Sequence, residues 1–209
     1  MSQNYSVLSN ESEKTAFCIV KQTIDEYMTT GKQFEPNLEQ LPPEFKKNRG
    51  VFITLYLKNA KGEENLRGCV GLPRPVFPLG IAIAKATFSS LCSDPRFLPV
   101  SAEEVPDLTI ELEVLSEMEK IEYQSVEELI DQIEVGKDGL MVESPPYSGL
   151  LLPVVPLKYN WDAEQFVYAL CQKANMPFHL LSDEQTIVYK FQAQVFKREI
   201  TELEEICES

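Results

Sequence analysis

Between Leu79 and Cys92 the chain is alanine-rich and apolar almost all round, with Ile81, Ile83, Ala84, Ala86, Phe88 and Leu91 spread over every face of a helix. A helix without a polar side has to be covered from more than one direction. The remaining elements must therefore pack around it in layers, with this helix at the centre of the core. Pro73, Pro75 and Pro78 precede it and break any strand that leads into it.

The other segments supply those layers. Leu108 to Leu115 alternates cleanly, with Leu108, Ile110, Leu112 and Val114 facing one way and Glu111 and Glu113 the other, which predicts a strand with its carboxylates solvated. Gly50 to Leu57 reads as a second strand, Asn59-Ala60-Lys61-Gly62 as a hairpin turn, and the residues after it as the return strand. A first helix begins near Asn10 with Glu13 as its capping-box partner, carries Phe17, Val20, Ile24, Tyr27 and Met28 inward, and stops before Gly31. Residues 32 to 49 form a long loop with one short turn at Pro43 to Lys47, and Ser101 to Glu104 forms a capped turn before Pro106.

Further on, Ser125 caps a helix with Glu128 at its third position, Leu140 to Glu143 and Leu150 to Leu152 are short strands, and Asp162 with Gln165 boxes a helix whose stripe runs through Phe166, Val167, Leu170 and Cys171. Thr186 to Phe196 alternates as one long final strand. Hairpins mixed with helices imply an α+β protein, with a mainly antiparallel sheet packed by helices. At 209 residues the chain suits one large domain or two interleaved subdomains.

Composition excludes several functions. A net charge of −14 opposes phosphate backbones, so nucleic acid is not an expected partner. No apolar run approaches bilayer length and the start Met1-Ser2-Gln3-Asn4 lacks a signal-peptide pattern, which places the protein in the cytoplasm with no membrane partner. Five scattered cysteines argue against a disulfide framework or zinc site, and the single histidine, His179, reads as a packing or capping residue, so no metal is expected. Neither a Gly-x-Gly-x-x-Gly nor a Walker lysine loop is present, and no cofactor is expected. The last eleven residues, 199–209, crowd five glutamates into a tail that reads as solvated or frayed.

The stretch most suggestive of chemistry is Leu66-Arg67-Gly68-Cys69-Val70-Gly71. Strand alternation puts Leu66, Gly68 and Val70 on one face and Arg67 and Cys69 on the other. A guanidinium beside a thiol favours thiolate, and a buried cysteine serves equally well as a small apolar residue. Arg67 and Arg96 suit an anion clamp, with ion pairs to Glu111 or Glu113 as the plain alternative. Glu111 is a candidate base that needs desolvation to act. Gly68 is a candidate for close ligand approach as well as backbone packing, Lys137 a ligand candidate that also suits an exposed turn, and Asp94 a turn cap before Pro95.

Gly50-Val51-Phe52-Ile53-Thr54-Leu55, Leu66-Arg67-Gly68-Cys69-Val70-Gly71, Asp94-Pro95-Arg96-Phe97, Gly136-Lys137-Asp138-Gly139-Leu140 and Leu151-Leu152-Pro153 with Trp161-Asp162 follow in the order seen in the AMMECR-domain family. The chain resembles its prokaryotic branch, also called AmmeMemoRadiSam system protein A, over residues 10–198, with 199–209 as an acidic extension. That resemblance implies two α+β subdomains with the Arg-Gly-Cys motif near a cleft. It also implies association with a Memo-type and a radical-SAM protein, and no established reaction. Val154 departs from the glutamine that many members carry there.

Two functional readings follow. In the first, a cleft binds a small anionic ligand, peptide or partner protein through the Arg67–Cys69 strand. In the second, the chain is an enzyme or enzyme subunit using Cys69 as nucleophile or redox thiol, with Glu111 as base and the arginines holding an anion.

Overall fold

The structure is a computed structural model that describes residues 7–59 and 61–208, without the side chain of Glu208. The chain start read for a signal peptide, and Ala60 of the expected hairpin turn, lie outside those residues. In chain order the elements are α1 (Asn10–Thr30), β1 (Val51–Lys58), β2 (Glu64–Leu72), α2 (Leu79–Cys92), β3 (Leu108–Leu115), β4 (Glu119–Lys120), α3 (Val126–Asp131), β5 (Gly139–Ser144), β6 (Tyr147–Leu151), α4 (Val154–Tyr159), α5 (Ala163–Lys173), β7 (Ile187–Phe191), β8 (Ala193–Glu199) and α6 (Ile200–Glu208). The class is α+β, and the strands form two antiparallel four-stranded sheets. The described residues up to Leu115, together with those from Gln194, make one compact unit, and Ser116–Ala193 makes the other.

In the first unit the sheet order is β2-β1-β3-β8. One face, carrying Val51, Ile53 and Leu55 of β1 and Leu108, Ile110, Leu112 and Val114 of β3, is fully packed into the core. Helix α2 lies in that core with Leu79, Ala82, Ile83, Ala86 and Leu91 buried, and it contacts α1, β1 and β2, as its all-round apolarity requires. Helix α1 buries Phe17, Val20 and Ile24. Its cap is Ser9, one residue earlier than expected, whose hydroxyl accepts the Ser12 N–H, and Glu13 pairs with Arg198 at 2.6 Å instead of closing a capping box.

Two features of β2 set up the site. Its pairing with β1 shifts between Leu55 and Tyr56, so Leu55 faces Gly68, Tyr56 faces Leu66, and Arg67 is the extra residue of a bulge. Simple alternation therefore fails at this point, and Leu66, expected on the face of Gly68 and Val70, is 41 % exposed while Gly68 is buried. At Gly68 an added Cβ would lie 2.3 Å from the carbonyl oxygen of Ser90, so only glycine lets α2 approach the strand this closely. The Ser90 hydroxyl accepts the Val70 N–H at 3.0 Å and donates to the Ile53 carbonyl at 2.8 Å, which ties α2 into the β1–β2 ladder.

The acidic tail is not a frayed end. Residues 200–208 form α6, which packs on α1 with Ile200 and Leu203 buried, and Cys18 and Cys207 form a disulfide, contrary to expectation. The glutamates obscured an apolar stripe at Ile200, Leu203 and Ile206. The cysteine spacing gave no sign that residues 189 apart in sequence meet.

In the second unit the sheet order is β4-β7-β5-β6, and Leu129, Leu140, Val142, Phe166, Leu170 and Val188 fill its core. The caps at Ser125 and Asp162 stand where the sequence puts them, the latter as a full box with Gln165. The expected long final strand divides at Gln192, whose N–H goes to the Ser116 hydroxyl and whose carbonyl accepts the Ser116 N–H, so β7 and β8 join different sheets. Helix α4 was not expected, because Pro153, Pro156 and two valines obscure it; Pro156 fits in a first turn, where its missing N–H is not needed.

Candidate functional site

The face of the first sheet opposite its core carries the chemistry. Register places Cys69 of β2, Thr54 of β1 and Glu111 of β3 directly opposite one another, and Gly71, Phe52 and Glu113 in the next row. The Thr54 hydroxyl donates to Cys69 Sγ at 3.2 Å, and the Tyr56 hydroxyl donates to Glu111 Oε1 at 3.3 Å. Burial, then the adjacent Glu111 carboxylate, pushes the Tyr56 hydroxyl well above the usual phenol range, so it stays a donor. Lys197 of β8 lies 4.4 Å from the Tyr56 ring centroid, and the Phe52 ring occupies the space a side chain at Gly71 would need.

Glu113 is the least expected member. The alternation of β3 correctly separates its two faces, and the carboxylate face is not solvated. Glu113 is 5 % exposed, and its Oε2 has no hydrogen-bond partner among the described residues. Burial, reinforced by the neighbouring Glu111 charge, raises its carboxyl to about 7. Periodicity reports which residues point apart and carries no information on whether the second face is covered. The desolvation that the sequence reading required of a base is found at Glu113.

The Ser93–Phe97 turn grips β2 at Cys69. Asp94, 5 % exposed, accepts the Cys69 N–H at 2.8 Å, the Arg96 N–H at 3.1 Å, and Arg96 Nε and Nη2 at 2.9 and 2.6 Å. The Arg96 guanidinium, then the two backbone N–H groups, holds the Asp94 carboxyl well below the usual carboxylate range. Arg96 Nη2 also reaches the Cys69 carbonyl at 3.3 Å. Asp94, read as a turn cap, is thus the residue that docks this turn on the strand. Arg96 keeps a half-exposed side chain beside the thiol-bearing residue.

Arg67 has different work. The bulge turns it off the ladder, and Nε and Nη2 bind Glu104 at 2.7 and 2.9 Å, while Nη1 and Nη2 reach the carbonyls of Leu98 and Pro99 at 2.9 and 3.2 Å. Its partner is Glu104, neither Glu111 nor Glu113, and it fastens the 98–104 loop. Gly68 is buried against Ser90. Lys137 lies in the second unit, paired with Glu134 at 2.7 Å, and His179 is exposed there on a 3₁₀ turn. Val154 begins α4 with its side chain 54 % exposed. Thr54 and Tyr56 were not among the candidate site residues; their alternation against Ile53 and Leu55 was the available signal.

Fold and site together define a two-unit α+β protein with a thiol, two carboxyls and a phenol on one sheet face. A profile of the AMMECR1 family matches residues 17–196, and the chain belongs to that family. Protein PH0010 from Pyrococcus horikoshii is 45 % identical over 181 residues, 87 % of each chain, and Protein PYRAB00100 from Pyrococcus abyssi is 44 % identical over the same shares. The crystal structure of the uncharacterized protein PH0010 is similar with a TM-score of 0.81 and 42 % identity, covering 93 % of this chain and 95 % of that one.

Proposed function

We propose that this AMMECR1-family protein receives a small polar ligand, or the polar group of a partner, on the outer face of its first sheet. The observation that carries the reading is the unpaired Oε2 of Glu113 at 5 % exposure. Leaving a buried carboxyl oxygen without a partner costs about 1–3 kcal/mol, and an incoming donor removes that penalty. Among the described residues no three His, Cys, Asp or Glu side chains converge as metal ligands. The group that fits is therefore an N–H or O–H donor set shared by Glu113 and Glu111. Arg96 is paired with Asp94 through Nε and Nη2 yet half exposed, and it is the arginine that offers charge to an anionic end of the same ligand, since Arg67 is held by Glu104 and the 98–104 loop. In this reading the protein works in the cytoplasm, and the Memo-type and radical-SAM proteins named by family association are the first partners to try.

An enzyme reading draws on a separate observation, the displacement of the Glu113 carboxyl to about 7. A carboxyl that titrates near neutrality exchanges protons readily, and Cys69 supplies a thiol in the neighbouring row. Metabolite capture tests the binding proposal. Purified protein is incubated with a small-molecule cell extract, and the retained compounds are compared by mass spectrometry with those held by Glu113→Ala and Lys137→Ala. The expected result is a set retained by the wild type and Lys137→Ala and lost from Glu113→Ala. No retention, or equal retention by Glu113→Ala, overturns it.

A further inference from the structure

The second unit has a surface feature that owes nothing to the sheet face of the first. Helix α5 turns Phe166, Val167, Leu170 and Cys171 into its core, yet carries Tyr168 on the other side at 53 % exposure. Tyr168 meets Phe178, itself 37 % exposed, with ring centroids 6.0 Å apart. Nearby, Tyr159, 57 % exposed, stacks on Trp161 at 4.8 Å with the planes 20° apart. Exposed aromatic side chains gathered into a patch, unlike single exposed apolar residues, mark recognition sites.

Trp161, Tyr168 and Phe178, with Ala169, Gln165 and Gln172, line an open groove of about 500 Å³. A second groove of about 570 Å³ shares Phe178 and Glu164 with it and is bordered by Glu127 and Asp131. Adjoining at Phe178 and Glu164, the two grooves make a trough whose first part is mostly aromatic and whose second part is bordered by Glu127 and Asp131. Every charged residue lining it is acidic: Glu164, Glu127 and Asp131.

We propose that this trough is a docking site for a proline-rich, basic segment of a partner protein. Proline rings pack well between aromatic faces, and a polyproline II segment is already extended, so it gives up little conformational entropy on binding. Its carbonyls form no internal hydrogen bonds, and Gln172 and Trp161, both residue types with an N–H donor, are among the residues that line the groove. Lysine or arginine following the prolines meets Glu164, Glu127 and Asp131, and the net charge of −14 draws a basic segment from a distance.

Fluorescence anisotropy on the full chain tests this with three labelled synthetic peptides. One repeats Pro-Pro-Lys, one repeats Pro-Pro-Glu, and one is an alanine-lysine helix former of the same charge as the first. Saturable binding of the Pro-Pro-Lys peptide is expected, with no binding of the glutamate version. Affinity should fall about tenfold in Tyr168→Ala and in Phe178→Ala. Both side chains are exposed, and matching thermal melts confirm that the variants are folded. Glu164→Lys should weaken binding by a similar factor, and added salt should weaken it further. The proposal is overturned by an absence of saturable binding to Pro-Pro-Lys, by binding indifferent to both aromatic substitutions, or by equal or tighter binding of the helical peptide.

Discussion

At Glu113 a carboxyl group sits 5 % exposed beside Glu111, and burial followed by that neighbouring charge lifts it from an ordinary 4.5 to about 7. The folded state therefore keeps this proton over a range in which the unfolded chain has released it. A raised value contributes stability that is full below about 4.5 and lost as pH rises through about 7. The displacement corresponds to roughly 3 kcal/mol. Glutamine mimics the neutral acid and does not titrate. Urea denaturation at pH 5 and pH 8 should show the wild type losing roughly 2.5 kcal/mol more stability across that interval than Glu113→Gln, because part of the contribution is already lost at pH 5. Equal losses in the two proteins would remove Glu113 from the account. Asp94 runs the other way: its carboxyl is depressed, first by Arg96, so its contribution is present above the ordinary aspartate value and fades only in strong acid.

At the scale of elements, the contact between β2 and α2 holds the site together. Ser90 is hydrogen-bonded to Val70 and Ile53, its carbonyl rests on Gly68, and the next residue along β2 is Cys69, whose N–H is held by Asp94. Gly68→Ala puts a methyl group 2.3 Å from a backbone oxygen that cannot rotate away, so strand and helix must separate. A loss of about 3 kcal/mol is expected by urea denaturation at fixed pH, at the upper end of overpacking costs. A loss below about 0.5 kcal/mol, within the range of an ordinary surface substitution, would show that the contact is not tight. Elements defined by local pattern were legible in the sequence: α2 and β3 have their expected bounds, and the Asp162–Gln165 box is present. The bulge at Arg67 was not, because a one-residue register shift depends on the partner strand and leaves no mark on β2 alone. The division of the last strand at Gln192 likewise depends on Ser116, far away in sequence.

For the molecule as a whole, the α+β class and the family were legible, while the closing contacts between distant segments were not. Cys18 and Cys207 meet only because α6 folds back onto α1, and the acid-rich composition of α6 pointed toward solvent. Of the candidate residues, Cys69, Arg67, Gly68, Arg96 and Glu111 gather at the first sheet, and Lys137 belongs to the other unit. Side-chain roles within that group needed coordinates. Arg67 finds Glu104 through the bulge, and Glu113 is desolvated on a face that periodicity marks as polar. This face holds a buried carboxyl, Glu113, whose Oε2 has no hydrogen-bond partner among the described residues and which carries a proton near neutral pH. The direct measurement is the carboxyl ¹³C resonance of Glu113 in the full folded chain, assigned with Glu113→Gln and followed from roughly pH 4 to 9. A midpoint of about 7 is expected. A midpoint near the ordinary 4.5 would show a solvated carboxylate and contradict it.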